Sequence, residues 1–275
     1  MRTIVLAAIL WIGALPTSVW AQASPDRIVG IDVEGTVLRV RMTSGKVLSG
    51  PELVGATLSL AQPGDAAPRK VRVESVKMDP MDPDQETLLY HLLNVDPATG
   101  ETQELCGPNP DGERWAFPLR GQWDAEGQHL SDAGYTLTCS DGAQGKCVRF
   151  GYKPWKTLAN GTRLSAYHQA CVRLVRADYC GGHGTTRDGM LIDLYDDLGI
   201  QKPDPTAADA GLRFEAAWSE AGALCVAHTR VPENVTLEQL AAACPRLTGK
   251  LGQATCTEAR ARDLPGPVLM YNYSR

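Results

Sequence analysis

The sequence predicts an α+β fold: an antiparallel β-rich N-terminal half, then a disulfide-stapled C-terminal module with one long helix packed on a small sheet. Three observations carry this expectation. The first half alternates apolar and polar residues in short runs, the period of a half-buried strand. One segment near residue 160 switches to three- and four-residue spacing, the period of an amphipathic helix. The eight cysteines, at 106, 139, 147, 171, 180, 225, 244 and 256, lie mostly in the second half.

The chain opens with one cation, Arg2, and an apolar run that Pro16 ends. That run is too short and too lightly flanked for a stable membrane span. Ala21-Gln22-Ala23 then offers small residues at alternate positions, as a signal peptidase requires. The expected organisation is a signal peptide at 1–23, a β-rich region at 24–130 and a cysteine-rich domain at 131–275. No later segment approaches roughly 18 consecutive apolar residues, so no integral membrane segment is expected after cleavage. Export to the periplasm or the medium would deliver an even number of thiols to an oxidising space, where they settle into disulfides.

Lys and Arg number 27 against 32 Asp and Glu, a net charge of −5; losing Arg2 with the leader makes it −6. That sign is wrong for phosphate, and no basic run interleaved with aromatics occurs, so nucleic acid is not expected as a partner. No glycine-rich loop leads from a strand into a helix, and no cofactor is expected.

In chain order, Ile28–Val33, Thr36–Met42 and Arg69–Val76 alternate as strands, with Glu34-Gly35 and Ser44-Gly45 as turns. Ala61–Pro68 and Asp79-Pro80-Met81-Asp82-Pro83-Asp84 read as proline-broken loops. The second carries three aspartates but lacks the glycine and distal glutamate of a calcium loop, so solvated turn acids are expected there. The helix is expected over Thr162–Asp178, with Gly181-Gly182 as its stop. Met190–Tyr195 reads as a strand, Leu212–Trp218 with Ala223–His228 as a hairpin, and Thr236 with Gln239 as a capping box opening a short helix to Ala243.

Two constellations could carry chemistry. His168, Cys171, Cys180 and His183 supply four soft donors, as tetrahedral zinc prefers, yet an oxidising compartment favours the disulfide over the thiolate, so no metal is expected. Cys171 or Cys180 with His168 or His183 and Asp178 offers a nucleophile, base and orienter, but complete pairing leaves no free thiol. No G-x-S-x-G and no H-E-x-x-H occurs, so no catalytic residue is assigned. Glu215 beside Trp218 and Asp193 beside Tyr195 read as the charged outer face of strands. Tyr152 and Trp155, in Gly151-Tyr152-Lys153-Pro154-Trp155, are expected to fill the junction of helix and sheet, with a ligand platform as the alternative.

Cys139 to Cys147, Gly151–Trp155, His168–Gly181 with Ala177-Asp178-Tyr179-Cys180, Asp188-Gly189, Ile192–Asp196 and Phe214–Trp218 through Cys225 together resemble the bacterial ADYC-domain proteins. The resemblance implies an exported, cysteine-containing module and brings no reaction with it. Read physically, the Ala-Asp-Tyr-Cys turn ends the helix: Asp178 and Tyr179 bond freed main-chain groups and Cys180 ties the exit to another element.

Eight cysteines admit many connectivities. The turn-like spacing from Ser140 to Lys146 suggests Cys139–Cys147; Cys180–Cys225, Cys244–Cys256 and Cys106–Cys171 complete the expected set. The resulting expectation is an exported, disulfide-stabilised binding or structural module without catalysis. Its competitors are a hydrolase near Asp178, His168 and His183, and a zinc-binding module.

Overall fold

A computed structural model describes residues 26–60 and 68–275. The expected signal peptide, and nearly all of the loop read at Ala61–Pro68, lie outside the described residues.

Alternating sequence becomes antiparallel sheet throughout the first half. Strands β1 (Ile28–Glu34), β2 (Val37–Met42) and β3 (Val47–Ser49) form one three-stranded sheet. Next come β4 (Thr57–Leu60), β5 (Arg69–Met78), β6 (Leu88–Val95), β7 (Thr102–Glu104), β8 (Ala116–Trp123) and β9 (His129–Cys139). They make a second sheet in the order β4-β5-β6-β8-β9, with β7 also on β6. Val33, Leu38 and Val40 from the first sheet meet Val71, Val73, Leu89, Phe117 and Leu119 from the second in one buried core. Each such side chain contributes roughly 1.5–3 kcal/mol by leaving water. The boundary expected at 130/131 falls inside β9, which pairs with β8 from His129 to Cys139.

The second half holds α1 (Ala143–Arg149), α2 (Leu164–Arg176), β10 (Ile192–Tyr195), β11 (Arg213–Ser219), β12 (Gly222–Val226), α3 (Leu237–Ala243), α4 (Glu258–Arg262) and β13 (Met270–Ser274). Its antiparallel sheet runs β10-β13-β11-β12. Successive strand residues face opposite ways. Ala216, Trp218 and Met270 therefore pack with α2, while Ala217, Cys225 and Tyr271 pack with Ala261 of α4. Thr236 caps α3, accepting from the Gln239 amide at 3.2 Å while Gln239 Oε1 accepts from the Thr236 amide at 2.8 Å.

Helix α2 is a partition between the halves. His168 through Leu174 are all buried, so both faces are covered. One faces the small sheet. The other meets the β8–β9 turn, where Gln169 Nε2 donates to the Gly127 carbonyl at 2.9 Å and Oε1 accepts from the His129 amide at 3.1 Å. A β-carbon at Gly127 would sit 2.8 Å from Val172, so glycine is required for the turn to approach so closely. The short α1 straddles the same divide, with Cys147 in the C-terminal core and Val148 in the N-terminal one.

The four disulfides are Cys106–Cys139, Cys147–Cys171, Cys180–Cys244 and Cys225–Cys256, and among the described residues no cysteine is free. This replaces all four expected pairs. Cys139–Cys147 fails because residues 143–149 coil into α1 instead of a hairpin turn, which leaves Cys147 against α2. Cys106–Cys171 fails because the two sulfurs belong to different cores. Cys180–Cys225 and Cys244–Cys256 fail because Cys180 and Cys244 pack on one side of the small sheet and Cys225 and Cys256 on the other.

Proteolysis without reduction, followed by mass spectrometry, should recover peptides joined as Cys106–Cys139, Cys147–Cys171, Cys180–Cys244 and Cys225–Cys256. A peptide joining Cys139 to Cys147 would contradict this framework.

Candidate functional site

Of the three aspartates of the β5–β6 loop only Asp84 is exposed, as expected of a turn acid; the other two are not solvated. Asp79 and Asp82 are buried, and they receive cations from the last residue of α1 and from the segment that follows it. Arg149 donates to Asp79 through Nε at 2.8 Å and Nη2 at 3.3 Å. Lys153 Nζ lies 2.7 Å from Asp82, 3.0 Å from Asp84 and 2.9 Å from Glu86. Lys156 adds contacts to Asp84 at 2.6 Å and Glu86 at 2.8 Å. Burial works against the Asp82 charge, but Lys153 and the Thr87, Glu86 and Asp84 donors outweigh it and hold the carboxyl well below the usual range. For Lys153, burial is likewise outweighed by Asp82, Glu86 and Asp84, and the ammonium is favoured. Thr36 Oγ1 accepts from the Leu88 amide at 2.7 Å, which ties the β1–β2 turn to the same loop.

This clasp sets the position of Pro154 and Trp155. Tyr152 is fully buried and donates to Asp196 Oδ2 at 2.6 Å, while Trp155 emerges half-buried against the β1–β2 turn. A β-carbon at Gly35 would lie 3.3 Å from the Trp155 ring, and Gly35 has φ +58°, so glycine suits both the turn and the contact.

Trp155 is one wall of a cleft of about 870 Å³ between the halves. Its other walls are Glu34 and Gly35, Arg120 and Trp123, Gln128, His129 and Asp132, the first turns of α2 at Ser165, Ala166, His168 and Gln169, and the β11–β12 turn at Glu220 and Ala221. Trp123 packs against His129, ring centroids 4.7 Å apart, and meets His168 edge-on at 6.2 Å. Its buried indole Nε1 has no hydrogen-bond partner among the described residues. His129 Nε2 is 3.4 Å from Asp132. His168 is 1% exposed and donates from Nε2 to the Gln144 carbonyl at 3.2 Å. Burial pulls its pKa down to about 4, so it is neutral at physiological pH.

The Ala-Asp-Tyr-Cys stretch lies at the C-terminal end of α2 and is occupied by structural bonds; Arg173, which pairs with Asp178, also bonds Gln128 of the cleft wall. The helix stops at Ala177, in the left-handed conformation at φ 49°, four residues before the expected glycine stop. Asp178 makes the early exit favourable. It is fully buried, pairs with the Arg173 guanidinium, and accepts from the amides of Gly181, Gly182 and His183 at 2.8, 2.8 and 3.0 Å. Burial raises its pKa, but the His183 and Gly182 amides and Arg173 together leave it lowered. Tyr179 stacks on Trp218 at 5.3 Å, donates to Glu215 Oε1 at 2.9 Å and accepts from the Arg230 amide at 2.8 Å. Arg230 in turn bonds the freed Leu174 and Val175 carbonyls at 2.8 and 3.0 Å and pairs with Glu215 at 3.0 Å. Cys180 bonds to Cys244 beyond α3.

Glu215 thus corrects the expectation of an outward charge: it is fully buried, bonded to Arg230 and to Asn272 at 2.7 Å. Asp193, half-buried, accepts from the Asp204 amide at 3.1 Å. Cys171 and Cys180 are both consumed in disulfides, so the four-donor zinc set and the thiol nucleophile lose their sulfurs. The side chains of His168, Asp178 and His183 share no hydrogen bond: the first is in the interior beside the cleft, the second is sealed at the helix end, and the third is exposed, offering Asp178 only its amide. Sequence reasoning missed Trp123, His129, Asp132 and Glu220 as site residues. The nearest signal was the density of aromatic and charged groups between 115 and 135.

Asp178→Asn should lower unfolding free energy by about 3 kcal/mol, because it removes one member of a buried ion pair and leaves Arg173 uncompensated. The lowered folded-state pKa means that this stabilisation is present above the unfolded carboxyl value, near pH 4, and is lost as pH falls below it. The variant should lose that part of the acid sensitivity. Urea melts at pH 7 and pH 3 check both, and unchanged stability at pH 7 would contradict the role.

Neither a curated protein nor a solved structure matches the chain. The sequence profile of the ADYC domain matches residues 50–232, from the start of the second sheet's approach through Arg230. That span contains the clasp, α2 and most of the cleft, and the chain belongs to the ADYC-domain family.

Proposed function

We propose that the protein is an exported, non-catalytic binding module, active in the periplasm or outside the cell after loss of residues 1–23, with the cleft at Trp123 and Trp155 as its ligand site. The observation that carries this reading is the cleft itself: about 870 Å³ at the junction of two cores, walled by two half-buried indoles and rimmed with charge. Binding sites favour such concave, largely pre-formed junctions with aromatic walls and a few polar groups. Four disulfides suit an oxidising compartment, and no helix among the described residues is long and apolar enough to cross a membrane.

The hydrolase reading draws less support. Asp178 already accepts from three amides and Arg173, so it has little capacity left to act as a base. His168 spends one ring nitrogen on a carbonyl.

Tryptophan emission followed during titration with amino-acid amides, short peptides and oligosaccharides tests the proposal. At least one probe should shift the emission of the wild type, lose about tenfold or more in affinity on Trp155→Ala, and be recovered unaltered by mass spectrometry. A probe recovered cleaved, or one whose affinity ignores Trp155→Ala, would overturn it.

A further inference from the structure

We infer that the cleft binds an organic cation, an ammonium or guanidinium group, held between an indole face and the carboxylates at its rim; this rests on the binding reading above. Indole faces carry negative electrostatic potential and attract such groups, the more so where water is partly excluded. The molecule already uses this arrangement on its own side chains. Lys77 Nζ sits 4.3 Å over the Trp115 ring and 2.7 Å from Glu113. Arg262 lies 4.9 Å over Tyr271 and 2.8 Å from Asp197. Among the described residues these are the two cation–π pairs, so Trp123 and Trp155 take no cation of the chain.

The charge around the cleft points the same way. Its acids are Glu34, Asp132 and Glu220, against Arg120. Glu34 is paired with Arg39, and among the described residues Asp132 has only the 3.4 Å contact to His129 as an ion pair. Glu220 makes no ion pair among the described residues and is exposed beside the cleft, where an incoming cation can meet it. His168 is neutral and adds no opposing charge at physiological pH. The whole chain carries −5, which raises the local concentration of cationic ligands and speeds their encounter. A neutral polyol would gain nothing from this charge.

Titration of the disulfide-intact protein with three probes tests the inference: tetramethylammonium for a free small amine, N-acetylarginine amide for an arginine side chain in a peptide, and N-acetylcitrulline amide as its neutral counterpart. At least one cation should bind, and comparing the two identifies which source is preferred. Its affinity should exceed that of the citrulline probe about tenfold, fall several-fold on Glu220→Gln, and weaken between 50 and 500 mM salt, roughly as expected for a partly screened charge. Trp155→Phe, which keeps a ring and guards against simple misfolding, should weaken binding less than Trp155→Ala. Citrulline binding as tightly as arginine, with no effect of Glu220→Gln or salt, would overturn the cation while leaving the cleft as a binding site. If no probe binds, and maltose and neutral dipeptides also leave the emission unmoved, both readings fail.

Discussion

The architecture depends on one buried ionic clasp. Two carboxylates that the sequence places in a proline-rich loop, Asp79 and Asp82, are taken out of water and matched by Arg149 and Lys153 from the other half of the chain. An unmatched charge at that depth would cost several kcal/mol, so neither half can bury its own partner alone. The match fixes where the α1–α2 connection crosses the β-rich half. It thereby fixes Trp155 against Gly35 and opens the cleft next to it. The apolar cores supply most of the stability, but oil-like contacts are tolerant of sliding, and the clasp is not, because its hydrogen bonds are directional.

Helix α2 transmits this order to the second module. Gln169 bonds the β8–β9 turn on one side, Cys171 is bonded to α1, and Arg173 reaches Asp178 at the helix end. The Ala-Asp-Tyr-Cys stretch is the device that ends this helix abruptly without leaving polar groups unsatisfied. Asp178 gathers the amides that follow, Tyr179 joins the buried Glu215–Arg230 pair, and Arg230 takes the last carbonyls. The four residues are thus a joint, and none of them is among the residues that wall the cleft. A motif that gives a family its label need not be where a ligand goes.

Much of the fold was legible in local pattern. The alternation in β1, β2 and β5, the helical period of α2, the hairpin of β11 and β12 and the capping box of Thr236 all follow from short-range physics. Long-range matching was not legible. Asp79 and Asp82 look like surface turn acids until Arg149 and Lys153, about 70 residues away, are brought to them. Glu215 sits in an alternating strand, but Arg230 makes its inward register affordable. Cysteine pairing failed for the same reason: the spacing of Cys139 and Cys147 fits a turn, yet Gly142 to Arg149 winds into a helix, and the side of the sheet each sulfur faces decides its partner. The cleft was the least readable feature, since Trp123, Trp155 and Glu220 come from three separate elements whose meeting is set by the clasp and by α2.

A double-mutant cycle on Asp82 and Lys153 reads the central interaction most directly. Asp82→Asn, Lys153→Met and the double variant would be compared by urea unfolding at pH 7. Each single change should cost about 3 kcal/mol or more, and the pair should be coupled by roughly 1–3 kcal/mol, the double variant losing much less than the sum. Costs that simply add, with coupling below about 0.5 kcal/mol, would show that the halves are aligned by their apolar cores and that the clasp is incidental.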